Sequence, residues 1–427
     1  MKNLFLSLIF LLAFTVCNAQ IVNIPDANFK NALVNSNCVD TNGDGIGDSD
    51  ADLNNDGEIQ VSEAEAVLNL HVDFQNINSL EGIQSFTNLE LLDCKFNQLT
   101  SLDVSQNPNL ELLFCYSNQL TSIDVSQNPN LELLFCYHNQ LTSIDVSQNP
   151  NLKWLYCYNN MLTSLDVTQN PNLLDLYCER NLLTSLDVTQ NPILLELYCR
   201  DNILTSLDVT QNPNLLDLSF YENLLTSLDV TQNPNLVYLA CSSNPLTSLD
   251  VTQNPNLERL YCINTGITSI DLSLNPNFYW LSCYLNNNLS YLNLKNGNNT
   301  NMTKMFAFEN PNLICIEVDD EIYANNQICE SNIGWCKDEW AEYSEFCELG
   351  IEENNNISFS LYPNPAQDVL YIESYEQIET IKIYSLQGRL VKEVSSTSLN
   401  VSQLNAGLYF VQITFEGKTT TKKFIKE

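Results

Sequence analysis

The sequence predicts a mainly β chain: a long β-solenoid between a small acidic N-terminal cap and a C-terminal β-sandwich. Three observations carry that expectation. A unit of 21 residues recurs through the middle of the 427-residue chain. Within each unit, apolar residues fall on alternate positions, as a strand with one buried face requires. Beyond residue 357 the repeat stops, and short alternating segments separated by Pro, Asn and Gly replace it.

The repeat comes first. Leu89-x-x-Leu92-x-Cys94-x-x-Asn97-x-Leu99 returns as Leu110-x-x-Leu113-x-Cys115-x-x-Asn118-x-Leu120, and so on. The Cys column runs to Cys283 with Phe220 standing in once, and the Asn column runs to Asn286 with Thr265 as its exception. Leu and Cys point inward and the residue between them points out. One coil cannot bury that face alone, so coils must stack at about 4.8 Å. The Asn can bond backbone groups that the bend leaves unpaired. The second half, Leu99-Thr-Ser-Leu102-Asp-Val104, has nearly the same spacing and predicts a second short strand on the opposite side. Asn107-Pro108-Asn109 and its copies make the return turn. About twelve coils follow, roughly 55–60 Å long. This spelling resembles the leucine-rich repeat, nearest to the short bacterial repeats of internalins, over roughly residues 67–318. The resemblance implies a leucine-rich-repeat β-solenoid that binds through its repeat sheet.

Nine Cys in one inward column read as small buried hydrophobes, because side chains pointing the same way are poorly placed for bridging. Cys315, Cys329, Cys336 and Cys347 follow the last coil, and four thiols permit three pairings. Cys315–Cys347 with Cys329–Cys336 is the favoured one; it closes a C-terminal cap over residues 319–350, which covers an otherwise exposed apolar end. Cys38 has no evident partner.

The ends of the chain carry targeting features. Residues 1–19 read as a secretory signal: Lys2, an apolar run from Leu4 to Val16, then Cys17-Asn18-Ala19 before Gln20. Val16 before Cys17 speaks against a lipoprotein. No other apolar run is long enough to span a bilayer. Residues 351–427 form the last domain, with Ile351 to Asn356 as its linker. Tyr362-Pro363-Asn364-Pro365, Gln387-Gly388-Arg389-Leu390, Leu404-Asn405-Ala406-Gly407-Leu408-Tyr409 and Lys422-Lys423-Phe424 occur there in order. Together they resemble the type A C-terminal sorting domain of the Bacteroidota type IX secretion system. The resemblance implies that residues 357–427 engage that machinery. The cargo would cross the outer membrane, usually lose this domain, and be released or attached to surface lipopolysaccharide.

Composition narrows the function. Lys+Arg 17 against Asp+Glu 52 gives a formal charge of −35, which excludes nucleic-acid binding and docking on acidic membranes and favours cationic partners. His71 and His138 lie about three coils apart, no Ser/Cys–His pairing is evident, and no unassigned stretch could hold a catalytic domain. The chain is therefore expected not to be an enzyme.

Residues 20–66 form the acidic cap. Asp52, Asn54, Asp56, Gly57, Glu58 and Glu63 occupy the diagnostic positions of an EF-hand calcium loop, with Glu58 contributing its backbone carbonyl, and Gln60 would act through a water. Asp40, Asn42, Asp44 and Asp48 resemble a thrombospondin type 3 loop, but Ala51 stands where an acidic closing ligand belongs, so this second site is the weaker. Oxygen donors without His or Cys point to Ca2+ and away from zinc or copper. The expected role is structural, locking the cap onto the first coil.

The outward positions of the Leu-x-Cys strand form three columns. Phe114, Tyr116, Phe135, Tyr137, Trp154, Tyr156 and Tyr158 make them aromatic in the first coils, whereas charges intrude over Asp175–Glu222. Two roles are open to these rings: docking a protein or glycan ligand, or stacking from coil to coil to stabilise the sheet. An Asp column from Asp103 to Asp271 lies opposite. Its carboxylates either cap the following turn or hold cations. The function expected is a secreted or surface binding protein for adhesion or recognition; the alternative is a structural solenoid of the extracellular matrix.

Overall fold

The computed structural model describes residues 20–330, 334–347, 359–374, 378–385, 389–394, 396–415 and 418–427. The secretory signal of residues 1–19, the linker 351–356 and the Gln387-Gly388 pair lie outside the described residues. The chain divides into two compact units, one ending at Cys347 and the other beginning at Glu348.

The first unit is built on a 13-stranded sheet. It starts at Asn69–His71, continues through Leu91–Asp93, Leu112–Phe114 and their successors, and ends at Lys304–Ala307 and Gly334–Lys337. Neighbouring strands are parallel and in register, Leu92 opposite Leu113 and Leu134 opposite Leu155. Register is fixed because a one-residue slip would carry every Leu and Cys into water. The inward Leu and Cys of the repeats, including Leu113, Cys115, Leu155 and Cys157, are fully buried in one continuous core.

Each strand is short because the chain turns immediately after Cys. The second residue after it adopts left-handed geometry, from Phe96 (φ 51°) through His138 and Arg180 to Leu285 (φ 61°), with no glycine at the position. That conformation costs an L-residue about 1–2 kcal/mol, so the surroundings must hold it in place. The next residue, Asn, does so. Asn118 Nδ2 donates to the carbonyls of Cys94 and Cys115, both at 3.1 Å, while its Oδ1 accepts from Leu99 N at 3.0 Å. The same bonds recur at Asn160, Asn181 and Asn202. A second asparagine ladder, fully buried, runs along the return turn, where Asn128 Nδ2 spans the carbonyls of Val104 and Asn107.

On the opposite side the structure departs from the expected strand in every coil. A second sheet forms only late, from Ser269–Asp271, Tyr291–Asn293, Cys315–Glu317 and Glu342–Ser344. Among the described residues of the earlier coils, one bridge, Asp103 to Asp124, represents it. Side chains take the place of strand pairing there. Asp103 accepts from Ser105 N at 3.0 Å, and Asn107 Nδ2 reaches the carbonyls of Ile83 and Phe86.

Both ends of the core are covered. The helix Ala27–Asn35 is capped by Asp26, which accepts from Asn28 N and Phe29 N and also from Asn78 N and Ser79 N of the first coil. Phe29 packs against Phe86, and Val39 bridges to Leu70 at the sheet edge. At the far end Trp335 is buried, its indole donating to Met302 O at 3.1 Å. Cys315 is bonded to Cys347 and Cys329 to Cys336. Gly334 sits at φ 95°, where a Cβ would meet Ile328 O at 2.0 Å, so a side chain there would push this last strand away. The ladder cysteines and Cys38 are free and buried.

The second unit consists of two antiparallel sheets. Phe359–Tyr362, Val369–Ser374 and Ser398–Asn400 form one; Leu390–Val394, Thr380–Ser385, Gly407–Phe415 and Lys418–Lys426 form the other. Phe359, Leu370, Ile381, Val411 and Phe424 lie in the core between them. Alternation within each strand, such as Ile381 and Ile383 inward, matches the pattern expected of a sandwich. Among the described residues no helix is long and apolar enough to cross a membrane.

Candidate binding face and calcium loops

Because the pairing is in register, each outward position becomes a column of side chains spaced by one strand. In the first coils these columns are rings, half-buried and open on one side. Tyr116, Tyr137 and Tyr158 stack face to face with centroids 4.1 and 4.3 Å apart. Phe135, Tyr156 and Tyr177 stack at 4.1 and 4.2 Å, and Phe114 meets Phe135 edge-on at 5.4 Å. Trp154 occupies the third column, with Lys153 Nζ 5.9 Å from its ring. The seven aromatic residues expected in the ligand surface therefore lie on one sheet face. His138 sits beside them, edge-on to both Tyr137 and Tyr158.

Further along, charge enters the same columns. Asp175, Glu196 and Asp217 lie opposite one another on successive strands. A tyrosine of the preceding coil donates to each: Tyr156 to Asp175 at 3.5 Å, Tyr177 to Glu196, and Tyr198 to Asp217 at 3.3 Å. Burial and the neighbouring Glu196 push the Asp175 carboxyl up to about 6, and the same two causes raise Asp217. Burial and Asp175 in turn push the Tyr156 hydroxyl up to about 12.

The Asp column on the opposite side is exposed and caps its own turn. Asp166 Oδ1 accepts from the hydroxyl of Thr168 at 2.7 Å and its amide at 2.9 Å, and these bonds hold the carboxyl below the usual range. Asp187, Asp208, Asp229 and Asp250 repeat the arrangement.

In the cap, Asp52 accepts from the amides of Asp56 and Gly57, with Gly57 at φ 84° making the sharp bend. Glu63 accepts from Asn54 N and Gln60 N, serving as the capping-box residue of the helix Val61–Ala64. Asn54 donates to Gln60 and Asp56, and Glu58 pairs with Lys30 at 2.6 Å. In the weaker loop Asp40 accepts from the amides of Asn42, Gly43 and Gly45, Asp48 from Thr41 and the Asn42 side chain, and Asp44 from Ile46 N. The donors suit calcium in kind, being all oxygen. Among the described residues, however, no three acidic, His or Cys side chains converge in a metal-holding group.

Sequence reasoning located the ring columns on the sheet face and named turn capping as one of two roles for the Asp column. It missed the tyrosine–carboxylate contacts, although Tyr and Asp/Glu one coil apart in adjacent columns were visible signals. It also missed the second asparagine ladder, which the invariant Asn before Pro in each repeat could have revealed.

A parallel solenoid with an aromatic sheet face, followed by a two-sheet tail domain, defines a repeat protein. Residues 360–427 match the family described as secretion system C-terminal sorting domain. That domain marks proteins sent out by type IX secretion, so the protein is extracellular or attached to the cell surface. The chain is similar to the functional domain of InlJ from Listeria monocytogenes, a structure that includes a cysteine ladder: 25% identity, TM-score 0.51, covering 96% of this chain and 98% of that one. It is also similar in fold to an internalin, InlF, from Listeria monocytogenes, with 19% identity and TM-score 0.50, covering 66% of this chain and 92% of that one. The solenoid is thus of the leucine-rich-repeat, internalin-like kind. No curated protein sequence matches the chain.

Proposed function

We propose that this is a non-enzymatic adhesion or recognition protein whose repeat sheet docks a protein or glycan over Phe114–Tyr158. The observation that carries the reading is the ring platform. Six rings and Trp154 are prearranged on a sheet whose backbone is bonded on both sides, so binding would order few side chains. The stacking itself favours the second reading, a structural solenoid, since rings in contact also stabilise the coils. A pull-down and glycan-array comparison of wild type with Tyr116→Ala/Tyr137→Ala/Tyr158→Ala separates the two. Docking predicts a ligand that the triple variant loses; a spacer predicts no ligand, or one retained by the variant.

Calcium is the proposed structural cofactor. Asp52, Asn54, Asp56 and Glu63, with the Glu58 carbonyl, would hold it, and Asp40, Asn42, Asp44 and Asp48 form the weaker second site. A bound cation would offset the repulsion between these carboxylates and fix the cap on the first coil. EGTA should lower the melting temperature of wild type by more than that of Asp52→Ala/Glu63→Ala, which keeps only the weaker loop; an equal shift in both removes the first loop as the site.

A further inference from the structure

Five carboxylates stand in the three outward columns between Leu91 and Tyr284: Asp93, Asp175, Glu179, Glu196 and Asp217. Two face cations, Asp93 with Lys95, and Glu179 with Arg200 Nε at 3.7 Å. Among the described residues the other three have no ion pair, although they sit side by side on adjacent strands, where like charges repel. A tyrosine hydroxyl donates to each, and the Trp154 side chain also bonds Asp175. Glu179, on the same face as Asp175 and Tyr177, is 7% exposed and keeps an oxygen, Oε2, without a partner. Two structures frame the row. Trp154 and the Tyr156–Tyr177 stack close one end, and Tyr238, with Arg259 at 4.8 Å from its ring, closes the other.

We propose that this ladder selects the partner of the docking face: an extended, cationic protein segment whose Lys or Arg side chains lie over Asp175, Glu196 and Asp217. The proposal rests on the docking reading above and narrows it from protein or glycan to a basic protein. The row supplies unneutralised charge, and the rings beside it supply faces for ammonium or guanidinium groups and for their alkyl stems. A neutral glycan would leave the three charges uncompensated. The overall charge of −35 would draw such a segment in, while the ladder gives it a register.

The test is titration of the mature protein with a short oligolysine peptide at about 150 mM salt, where long-range attraction is largely screened. Asp175→Asn/Glu196→Gln/Asp217→Asn is compared with Asp124→Asn/Asp145→Asn/Asp166→Asn, which removes equal charge from the opposite side. The ladder variant should weaken binding by at least about tenfold and the control by less than about twofold. Equal loss in both, or no loss in either, overturns the proposal, as does binding unaffected by acetylating the lysines. Neutralising the ladder relieves repulsion, so a melting temperature at or above wild type is expected, and misfolding does not account for lost binding. The Tyr116/Tyr137/Tyr158 variant keeps the two readings apart. If it loses its ligand while the ladder variant retains it, the docking face survives and the ladder proposal fails.

Discussion

Replacing Asn160 with Ala removes the amide that sews two neighbouring coils together. Its Oδ1 accepts from Leu141 N at 3.0 Å, and its Nδ2 donates to Cys136 O and Cys157 O at 3.1 and 3.0 Å. These groups do not suffer equally. Cys136 O keeps the amide of Asn139, and Cys157 O keeps that of Asn181. Leu141 N, buried with its residue, loses the partner that ties it to the next coil. One orphaned donor costs about 1–3 kcal/mol and two lost bonds about 0.5–1.5 kcal/mol each, so the sum is about 2–6 kcal/mol. Asn159 next to it, at φ 52°, also loses the bonds that hold its left-handed turn. All four tryptophans, Trp154, Trp280, Trp335 and Trp340, lie in the solenoid unit. Urea unfolding followed by tryptophan fluorescence therefore reads this unit alone. The neighbouring Gln140 side chain is exposed, and Gln140→Ala should stay within about 0.5 kcal/mol of wild type. An Asn160→Ala protein as stable as Gln140→Ala would refute the reasoning that asparagine side chains, rather than apolar packing alone, hold the coils in register.

Other expectations follow from the same contacts. Cys157→Ser places a hydroxyl in a fully apolar column and should cost about 1–3 kcal/mol, measured by the same unfolding assay. At the left-handed position, Ser243→Val should be at least about 1 kcal/mol less stable than Ser243→Gly, since a β-branched residue tolerates φ 53° poorly; equal stability would mean the turn is not held there. Breaking Cys315–Cys347 with Cys347→Ser frees a separation of 32 residues and should cost about 2–4 kcal/mol. Asp175 sets a pH dependence. Its folded carboxyl titrates at about 6 against 3.8 unfolded, so the folded state binds that proton more tightly. Stability should rise as pH falls from above about 6 toward 3.8, and Asp175→Asn should flatten that rise; a variant with the wild-type slope contradicts the assignment.

How far the sequence could be read depended on whether a signal was periodic. Leu92, Cys94 and Asn97 recur at fixed spacing, and that alone placed the inward core, the in-register sheet and the ring columns. The tail domain was legible because several motifs, from Tyr362-Pro363 to Lys422-Lys423, occur in order. The left-handed residue was hidden because its identity varies from Phe96 to Ser117, His138 and Arg180 with no glycine to mark it. Its conformation is imposed by the Asn that follows, a tertiary effect. The second strand was over-read for a related reason. Leu99-Thr-Ser-Leu102-Asp-Val104 has strand spacing, but Asp103 and Asn107 satisfy backbone groups that a ladder would otherwise use. At the binding face, column membership was visible from spacing, whereas the tyrosine–carboxylate contacts depend on side-chain reach between coils.

Thiol labelling tests the central claim, that every 21 residues wind once and turn Leu and Cys inward beneath an outward ring face. The native mature protein should take up no maleimide on a mass measurement, and after denaturation it should take up ten, one for each free buried cysteine from Cys38 to Cys283. Rapid modification of several ladder cysteines in the native state would place that column in water and contradict the fold on which the docking face depends.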